Sequence, residues 1–360
     1  VLVRAGGRPI ARRPRWRSMP QRYTPRPFRS AWWVPGAHAQ TIVGRYLRRT
    51  LRLALRRERL ETPDGDFLDL DFPAAAVALA APDTPTVLVL HGLEGSAASG
   101  YVAHTLRYLV QHRIRGVALN FRSCSGEPNR LARLYHAGDT ADLRFVLGRL
   151  RERFPAAPLG AVGFSLGGNV LLKYLGEEGE AAPLRAAVAV SVPFDLAAGA
   201  AKLERGMGRV YTRHFLRKLR GKSLEKAHLL DAREHAARLR RARTLRQFDD
   251  AATAPLHGFR DAEEYYSASS AARYLHAIRL PTLLLHSVDD PFLPASAVPR
   301  AVVLANPHLV DGFTNSGGHV GFVAGRPWAP VFWAEREAVR FLDVHLRAPQ
   351  RRATPPTAIS

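Results

Sequence analysis

The chain is 360 residues long and 46% of it is hydrophobic, which is enough for one large α/β domain or two ordinary ones and argues against general disorder. Its formal net charge is +22, from 53 basic and 31 acidic residues. The excess is almost all arginine, spread through every segment without zinc-finger spacing, an aromatic RNA-binding signature or a basic region with heptads. We therefore expect no specific nucleic-acid partner.

Cysteine content and apolar runs bear on the location of the protein. Cys124 is the only cysteine, so an internal disulfide and a cysteine-based zinc site are excluded. A single cysteine suits a reducing compartment, and we expect a cytoplasmic protein. The longest apolar run, residues 74–81, is far shorter than the ~20 residues of a membrane-spanning helix, so no transmembrane segment is expected.

The two ends of the chain differ in composition from the rest. Residues 1–18 are rich in arginine, and we interpret them as a disordered extension that precedes a translation start at Met19. An arginine-rich targeting arm is the alternative. Residues 348–360 are rich in arginine and proline and are predicted to be a disordered tail. A single domain over residues 19–347 lies between them.

The first predicted elements form a hairpin. Residues 51–60 and 65–72 flank the turn signal T-P-D-G. The alternation of apolar and charged residues in the second segment predicts a half-exposed edge strand.

Short apolar runs then alternate with helical patterns, which is typical of the α/β class, with a mostly parallel sheet and helices on both faces. The predicted strands are residues 86–90, 116–120, 158–162, 186–192, 282–286 and 307–310, and the predicted helices are residues 101–112, 138–154, 169–175 and 328–345.

The alternation is interrupted between residues 194 and 279, where the sequence is helical, basic and rich in alanine and leucine. A structureless loop of that length is implausible in a compact domain, so we predict a helical cap insertion at about residues 196–275. Within it, residues 202–222 alternate basic and apolar residues at roughly helical spacing. We expect an ordinary amphipathic helix packed on the core; peripheral contact with an anionic membrane is the less favoured alternative.

Residues 163–167 read G-F-S-L-G and lie between a predicted strand and a predicted helix. In this context the G-x-S-x-G pattern indicates a nucleophile elbow, in which Ser165 is exposed on a sharp turn. The glycines on either side leave room for the strained backbone and for close packing of the strand and the helix.

A serine hydroxyl needs a neighbouring base, and the base needs a group that orients it. In this architecture the partners follow the serine in the order acid, then histidine. We choose Asp290 as the acid, because it follows a late strand and precedes P-x-x-P. Asp289 is the alternative acid. For either aspartate, a turn or a helix cap is the alternative structural role. We choose His319 as the base, because it follows two glycines in a loop before the last helix.

The negative oxygen of a tetrahedral intermediate needs two fixed N–H donors, and we assign these to the backbone amides of Leu93 and Leu166. His91, His38 and His257 are candidates for lining the pocket, and for His38 and His257 we favour hydrogen-bonded structural roles over lining. This chemistry needs neither a metal nor an organic cofactor.

Several motifs make the chain resemble the YheT/EMB8-like branch of the α/β-hydrolase superfamily over about residues 28–345. They lie at residues 35–41, 91–96, 120–126, 135–140, 163–169 and 317–322 and, in the cap, at residues 248–250, 254–259 and 265–266. The resemblance implies an α/β-hydrolase fold, carboxylesterase-like or lipase-like activity, and charge-relay roles for Ser165, Asp290 and His319. One departure is Ser123, which stands where the family usually has glycine.

Together these features predict a serine hydrolase that cleaves small-molecule carboxylic esters through an acyl-enzyme on Ser165. The acyl group is expected to be short to medium in length or lipid-derived. An acyltransferase that uses the same acyl-enzyme is one alternative. A non-catalytic scaffold or lipid-binding protein on a hydrolase fold is the other.

Overall fold

The computed structural model describes residues 23–48, 51–226 and 232–348. The predicted extension at residues 1–18 and residues 349–360 of the predicted tail lie outside these ranges.

An eight-stranded, mostly parallel sheet forms the centre of the protein. Its strands are β1 (Leu55–Glu61), β2 (Phe67–Pro73), β3 (Thr86–Leu90), β4 (Arg115–Asn120), β5 (Leu159–Phe164), β6 (Ala186–Val190), β7 (Thr282–Ser287) and β8 (Leu309–Thr314). They lie in the order β1-β2-β4-β3-β5-β6-β7-β8, and β2 is antiparallel to both of its neighbours. Strands β3 to β7 are buried at every position, as expected where helices cover both faces of a parallel sheet.

Helices cover the two faces of this sheet and form an insertion between β6 and β7. They are α1 (Gly36–Arg48), α2 (Gly100–Gln111), α3 (Ala141–Arg153), α4 (Leu166–Glu178), α5 (Leu196–Leu203), α6 (Gly208–Glu225), α7 (Ala232–Arg241), α8 (Leu245–Phe248), α9 (Ala254–Leu256), α10 (Ala262–Ser269), α11 (Arg300–Ala305) and α12 (Trp333–Arg347). Helices α2 and α12 share one apolar core with the sheet, and α3 and α4 share another. The predicted α/β class is therefore confirmed.

The described part of the insertion contains α5 to α10 and supplies the helical cap that the sequence predicts. It has a small apolar core of its own, which includes Leu216, Leu239 and Phe248. Within the described ranges, none of the helices combines the length and the apolar character that crossing a membrane requires.

The predicted first hairpin is confirmed, but the position of its second strand is corrected. Strand β2 lies between β1 and β4 and is buried along its whole length, so β1 is the edge strand. The charged residues of β2 do not face solvent, because Asp69 accepts two hydrogen bonds from Arg59 and Asp71 accepts two from Arg57. Cross-strand ion pairs, not exposure, explain the alternation of apolar and charged residues.

The end of the domain also differs from the prediction. The helix predicted at residues 328–345 begins only at Trp333, because a second hairpin of β9 (Val323–Arg326) and β10 (Ala329–Phe332) precedes it. Strand β8 continues past the predicted end at residue 310 through Gly312. A Cβ atom at Gly312 would lie 2.9 Å from the Leu284 carbonyl oxygen, so glycine is needed there for packing against β7.

A buried ion pair fastens α1 to α12. The Arg48 and Glu335 side chains are 2% and 0% exposed, and Arg48 donates to both Glu335 oxygens at 2.5 and 3.1 Å. Arg48 also donates to the Gly321 carbonyl at 2.7 Å, two residues beyond His319. The pair therefore connects the overall fold to the histidine segment.

We expect the Arg48→Met substitution to lower the free energy of unfolding by about 3–5 kcal/mol, because the Glu335 carboxylate would remain buried without its partner. Urea denaturation measures the change. The matched control is Arg149→Met on α3, where arginine forms an exposed pair with Glu152, and it should leave the stability essentially unchanged.

The double variant Arg48→Met, Glu335→Leu removes both charges and should recover most of the lost stability. A single-variant loss of less than about 1 kcal/mol would contradict the assigned role of the pair.

Candidate active site

Ser165 occupies a sharp turn between β5 and α4, with φ 50° and ψ −119°. A non-glycine residue rarely has a positive φ, and such strain persists only where the surroundings impose it. A Cβ atom on Gly163 would lie 2.4 Å from the Gly167 carbonyl oxygen, and one on Gly167 would lie 2.5 Å from the His91 carbonyl oxygen. Both glycines are therefore required by close backbone contacts, and the predicted strand, turn and helix are present.

The structure brings the three predicted side chains together. His319 Nε2 lies 2.9 Å from Ser165 Oγ, and His319 Nδ1 lies 2.9 Å from Asp290 Oδ2. The three residues follow β5, β7 and β8, whose carboxyl ends meet at one edge of the sheet. The hydroxyl of Ser165 is thus joined to a carboxylate through one imidazole.

The Asp290 carboxylate is fully buried and stays ionised. Burial alone would raise its pKa, but the charge interaction and the hydrogen bond with His319 outweigh burial and hold the pKa below its ordinary value. Its second oxygen accepts the Phe292 N–H at 2.7 Å. Because this carboxylate only accepts hydrogen bonds, Nδ1 of His319 carries a proton and Nε2 is free to accept the Ser165 hydroxyl proton.

Asp289, the alternative acid, has a different set of contacts. Its Oδ1 accepts the Gly318 N–H at 2.9 Å and the hydroxyl of Ser287. It therefore supports the backbone next to His319, while Asp290 bonds to the ring.

The loop that carries His319, residues 317–322, is called here the histidine loop. The His319 N–H donates to Thr41 Oγ1 of α1 at 2.9 Å, and the Val320 N–H donates to Ser191 Oγ at 2.9 Å. The ring of His319 stacks on Phe292 with 4.0 Å between the centroids. Backbone and ring contacts thus fix the imidazole before any substrate binds.

Helix α1 holds the histidine loop through Gln40 as well. The Gln40 side chain accepts the Val323 N–H at 2.7 Å and donates to the Val34 carbonyl at 3.0 Å. Gly318 has φ 63°, and a Cβ atom on it would lie 2.3 Å from the Ala37 carbonyl oxygen. The sequence segment at residues 35–41 is therefore a support for the histidine loop.

One predicted oxyanion donor, Leu166, directly follows the nucleophile, and the other, Leu93, belongs to the loop after β3. Leu166 is the first residue of α4, where N–H groups have no partner within the helix and the helix dipole favours negative charge. In the other loop, the Gly92 N–H donates to the Tyr101 hydroxyl and the Glu94 N–H donates to the Tyr135 hydroxyl. Among the described residues, the turn and loop hydrogen bonds leave the Leu93 and Leu166 amides unused.

The loop after β3 also lies close to the nucleophile. A Cβ atom on Gly92 would lie 3.1 Å from Ser165 Cβ. A larger residue would press against Ser165, so glycine favours the close approach of this loop to the nucleophile.

Ser165 and His319 open onto a cavity between the sheet and the cap. It has about 1100 Å³ of space, part of which is open to solvent. Six of its apolar wall residues are Leu134, Leu196, Leu203, Phe215, Leu219 and Phe248. The cap therefore supplies much of the wall that a substrate would touch.

Of the three histidines predicted to line the pocket, only His257 does so. His91 is fully buried: its Nδ1–H donates to the Gly92 carbonyl at 2.7 Å, and its Nε2 accepts the Phe121 N–H at 3.1 Å. Burial lowers the pKa of His91 to about 4, so the ring is neutral and supports the loop after β3. His38 is exposed on α1 and bonds to the Tyr211 hydroxyl of the cap at 3.0 Å. Neither His91 nor His38 lies in the cavity wall, and the hydrogen bond of His38 agrees with the structural role favoured for it.

An ion pair inside the cavity was missed from the sequence. Lys222 Nζ of α6 lies 3.0 Å from Glu94 Oε2, and the two side chains are 22% and 3% exposed. The other Glu94 oxygen accepts the Tyr135 hydroxyl at 2.9 Å, and Lys222 also contacts Cys124 Sγ at 3.2 Å. Burial raises the pKa of the Cys124 thiol to about 11, so this thiol is unreactive at neutral pH. Glu94 lies beside the predicted Leu93 donor, but no sequence signal marks Lys222 as its partner.

A further buried histidine, His286, lies on β7 ahead of Asp290. Its ring packs against Phe194 and Phe313, with centroids 5.3 and 6.2 Å away. Neither ring nitrogen has a hydrogen-bond partner among the described residues, and burial lowers its pKa to about 4. The described part of the chain contains no group of three His, Cys, Asp or Glu side chains suited to a metal ion.

Comparison with known proteins agrees with this fold. Residues 85–324 match the family model described as alpha/beta hydrolase fold. The chain is 41% identical over 330 residues to the Escherichia coli (strain K12) protein named "Putative esterase YheT", which covers 89% of this chain and 95% of that protein. The chain therefore belongs to the α/β-hydrolase fold family.

Two further relatives place it within that family. It is 31% identical to phospholipase ABHD3 of Bos taurus, over 81% of this chain and 72% of that protein. It is 30% identical to the embryogenesis-associated protein EMB8 of Picea glauca, over 89% of this chain and 72% of that protein. The predicted resemblance to the YheT/EMB8-like branch is confirmed.

Solved structures support the fold. The Pyrococcus furiosus esterase Pf2001 is similar with a TM-score of 0.53 at 17% sequence identity, covering 82% of this chain and 92% of that chain. At this identity the similarity concerns the fold alone.

We expect the His286→Phe variant to be less sensitive to acid than the wild-type protein. The unfolded chain protonates this ring below about pH 6.5, whereas the folded protein does so only near pH 4. The unfolded state therefore binds more protons in this window, and stability falls as the pH drops from about 6.5 toward about 4. When the pH is lowered from 7.5 to 5, the free energy of unfolding should fall less in the variant than in the wild type. The expected difference is on the order of 2 kcal/mol, measured by urea unfolding at both pH values.

The exposed His276→Phe variant is the control, and its pH dependence should match that of the wild type. Identical pH dependence in His286→Phe and the wild type would show that the ring titrates normally in the fold. Phenylalanine keeps the aromatic contacts and removes no hydrogen bond, so the variant should remain folded at pH 7.5.

Proposed function

We propose that this protein is a serine hydrolase that cleaves carboxylic esters through an acyl-enzyme on Ser165. The observation that carries the proposal is the hydrogen-bonded chain from Ser165 through His319 to the buried Asp290 carboxylate. The names of two relatives, an esterase and a phospholipase, support chemistry on esters.

In the first half of the reaction, Ser165 Oγ attacks the ester carbonyl carbon while His319 Nε2 accepts the hydroxyl proton. The carbonyl oxygen becomes negative and is held by the N–H groups of Leu93 and Leu166. The intermediate collapses as the carbon–oxygen bond to the alcohol breaks, and His319 returns the proton to the leaving alcohol. Asp290 remains ionised and stabilises the imidazolium.

In the second half, water takes the place of the alcohol. His319 accepts a proton from the water as its oxygen attacks the acyl carbon, and the proton then returns to Ser165 as the carboxylic acid leaves. No metal or organic cofactor enters these steps. The apolar wall of the cavity suits a short- to medium-chain or lipid-derived acyl group.

We expect Ser165→Ala to lower kcat/KM for p-nitrophenyl butyrate by about 10⁴-fold or more, because the attacking oxygen is removed. A fluorophosphonate probe should label the wild-type protein and not the variant. Ser267→Ala, at an exposed serine of α10, is the control and should retain full activity and labelling. Equal turnover by Ser165→Ala and the wild type would refute the proposal.

Product analysis in the presence of added methanol separates hydrolysis from acyl transfer. The free acid is expected as the main product, whereas a predominant methyl ester would indicate an acyltransferase.

We expect the two neighbouring aspartates to differ sharply in their effect on turnover. Asp290→Asn should lower kcat by about 10³- to 10⁴-fold with little change in KM, because the amide no longer favours the imidazolium or the required tautomer. Asp289→Asn keeps an oxygen that can accept the Gly318 N–H, so we expect a loss of about tenfold or less. Steady-state kinetics of both variants test this, and the reverse order would assign the acid to Asp289.

A further inference from the structure

Two histidines stand together in the largely apolar cavity. His136 precedes α3 and His257 follows α9 of the cap, and both line the cavity. Their ring centroids are 4.3 Å apart with the planes tilted by 53°, and no hydrogen bond joins them. The core and the cap therefore each contribute one imidazole to the same wall, which we call the histidine pair.

The histidine pair has unused hydrogen-bonding capacity. Nδ1 of His136 accepts the Gly138 N–H at 3.1 Å, so the proton of this neutral ring is on Nε2, and no described residue accepts it. The side chain of His257 has no hydrogen bond with any described residue. Burial lowers the pKa of His257 to about 4 and lowers that of His136 as well, so both rings are neutral at pH 7.

The histidine pair lies near the nucleophile. The backbone carbonyl of Ala137, the residue after His136, accepts a hydrogen bond from Asn169 Nδ2 at 2.9 Å. Asn169 stands one helical turn after Ser165 on α4, and its N–H bonds to the Ser165 carbonyl. A substrate whose ester group contacts Ser165 can therefore reach the histidine pair with another part of the same molecule.

The charges of the cavity limit what that part can be. Among the described residues, three charged side chains line it: Glu94, Lys222 and Asp249. Glu94 and Lys222 neutralise each other, and Asp249 accepts hydrogen bonds from Tyr266 and Thr253 but has no ion pair with a described residue. Among the described lining residues, no positive charge is left to bind a phosphate, and the unpaired carboxylate would repel one.

We propose that His136 and His257 bind a neutral, hydroxyl-bearing group of the substrate, such as a glycerol moiety, and discriminate against a phosphate. A hydroxyl both donates and accepts hydrogen bonds, and a pair of neutral imidazoles offers N–H donors together with an unprotonated nitrogen. This inference rests on the proposed ester hydrolysis and specifies its substrate class.

The test compares esters that share one acyl chain. The kcat/KM of glycerol monobutyrate is divided by that of propyl butyrate, which lacks the two hydroxyls. His257→Phe preserves the ring contact with His136 and leaves no hydrogen-bonding group of the chain unpaired. We expect this ratio to fall about tenfold or more in the variant, because the site can no longer bond to the substrate hydroxyl.

Control variants separate hydrogen bonding from packing. His257→Gln retains a donor and an acceptor and should preserve much of the wild-type ratio. The exposed His276→Phe variant lies outside the cavity and should leave the ratio unchanged. A His257→Gln ratio as low as that of His257→Phe would overturn the hydrogen-bonding role.

Two further substrates complete the experiment. Propyl 3-hydroxybutyrate carries its hydroxyl on the acyl side, and its kcat/KM is likewise divided by that of propyl butyrate. If His257→Phe lowers this ratio or the glycerol monobutyrate ratio, the proposal is supported. The ester whose ratio falls shows whether the acyl side or the alcohol side is bound. Unchanged ratios for both esters would overturn the proposal. So would faster cleavage by the wild type of the butyryl ester of glycerol 3-phosphate than of glycerol monobutyrate. Propyl butyrate turnover that survives Ser165→Ala would instead contradict the proposed function.

Discussion

The hydrogen bond between Ser165 and His319 joins residues 154 positions apart in the chain, and the rest of the site is arranged around it. On the serine side, the turn is held by backbone contacts so close that Gly163 and Gly167 have no room for a Cβ atom. On the histidine side, the loop is held by side chains of α1, above all Thr41 and Gln40. Helix α1 lies outside the sheet, yet it determines where the imidazole stands.

This arrangement gives a role to the buried ion pair at the end of α1. Arg48 ends α1, pairs with Glu335 of α12 and bonds to the Gly321 carbonyl in the histidine loop. A buried pair is weak evidence of added stability, since burying two charges is costly in itself. Its directional contacts nevertheless fix the register of α1 against α12 and the loop. A shift of α1 would therefore move the imidazole relative to the serine.

The parts of the molecule that the sequence predicts well are those encoded locally. The turn at Ser165 is set by glycines within two residues, and the buried strands appear as continuous apolar runs such as T-V-L-V-L in β3. The less predictable features depend on partners distant in the chain. The charges of Asp69 and Asp71 suggested exposure because Arg59 and Arg57 can be recognised as partners only once the hairpin register is known. The supporting role of His91 is hidden for the same reason, since its two hydrogen bonds depend on how the loops pack.

The contacts between the cap and the core are the feature that local sequence patterns predict least. Two lysines of the cap contact loops of the site: Lys202 donates to the carbonyls of Asp290 and Leu293, and Lys222 pairs with Glu94 beside Leu93. The cap therefore contacts both the acid loop and the loop of the proposed oxyanion donor, in addition to forming the apolar wall. A change in the cap that alters the pocket would for this reason also strain the loops that position the reacting groups. The reacting side chains belong to the core and much of the pocket wall belongs to the cap. The lysine contacts nevertheless couple the shape of the pocket to the positions of the reacting groups.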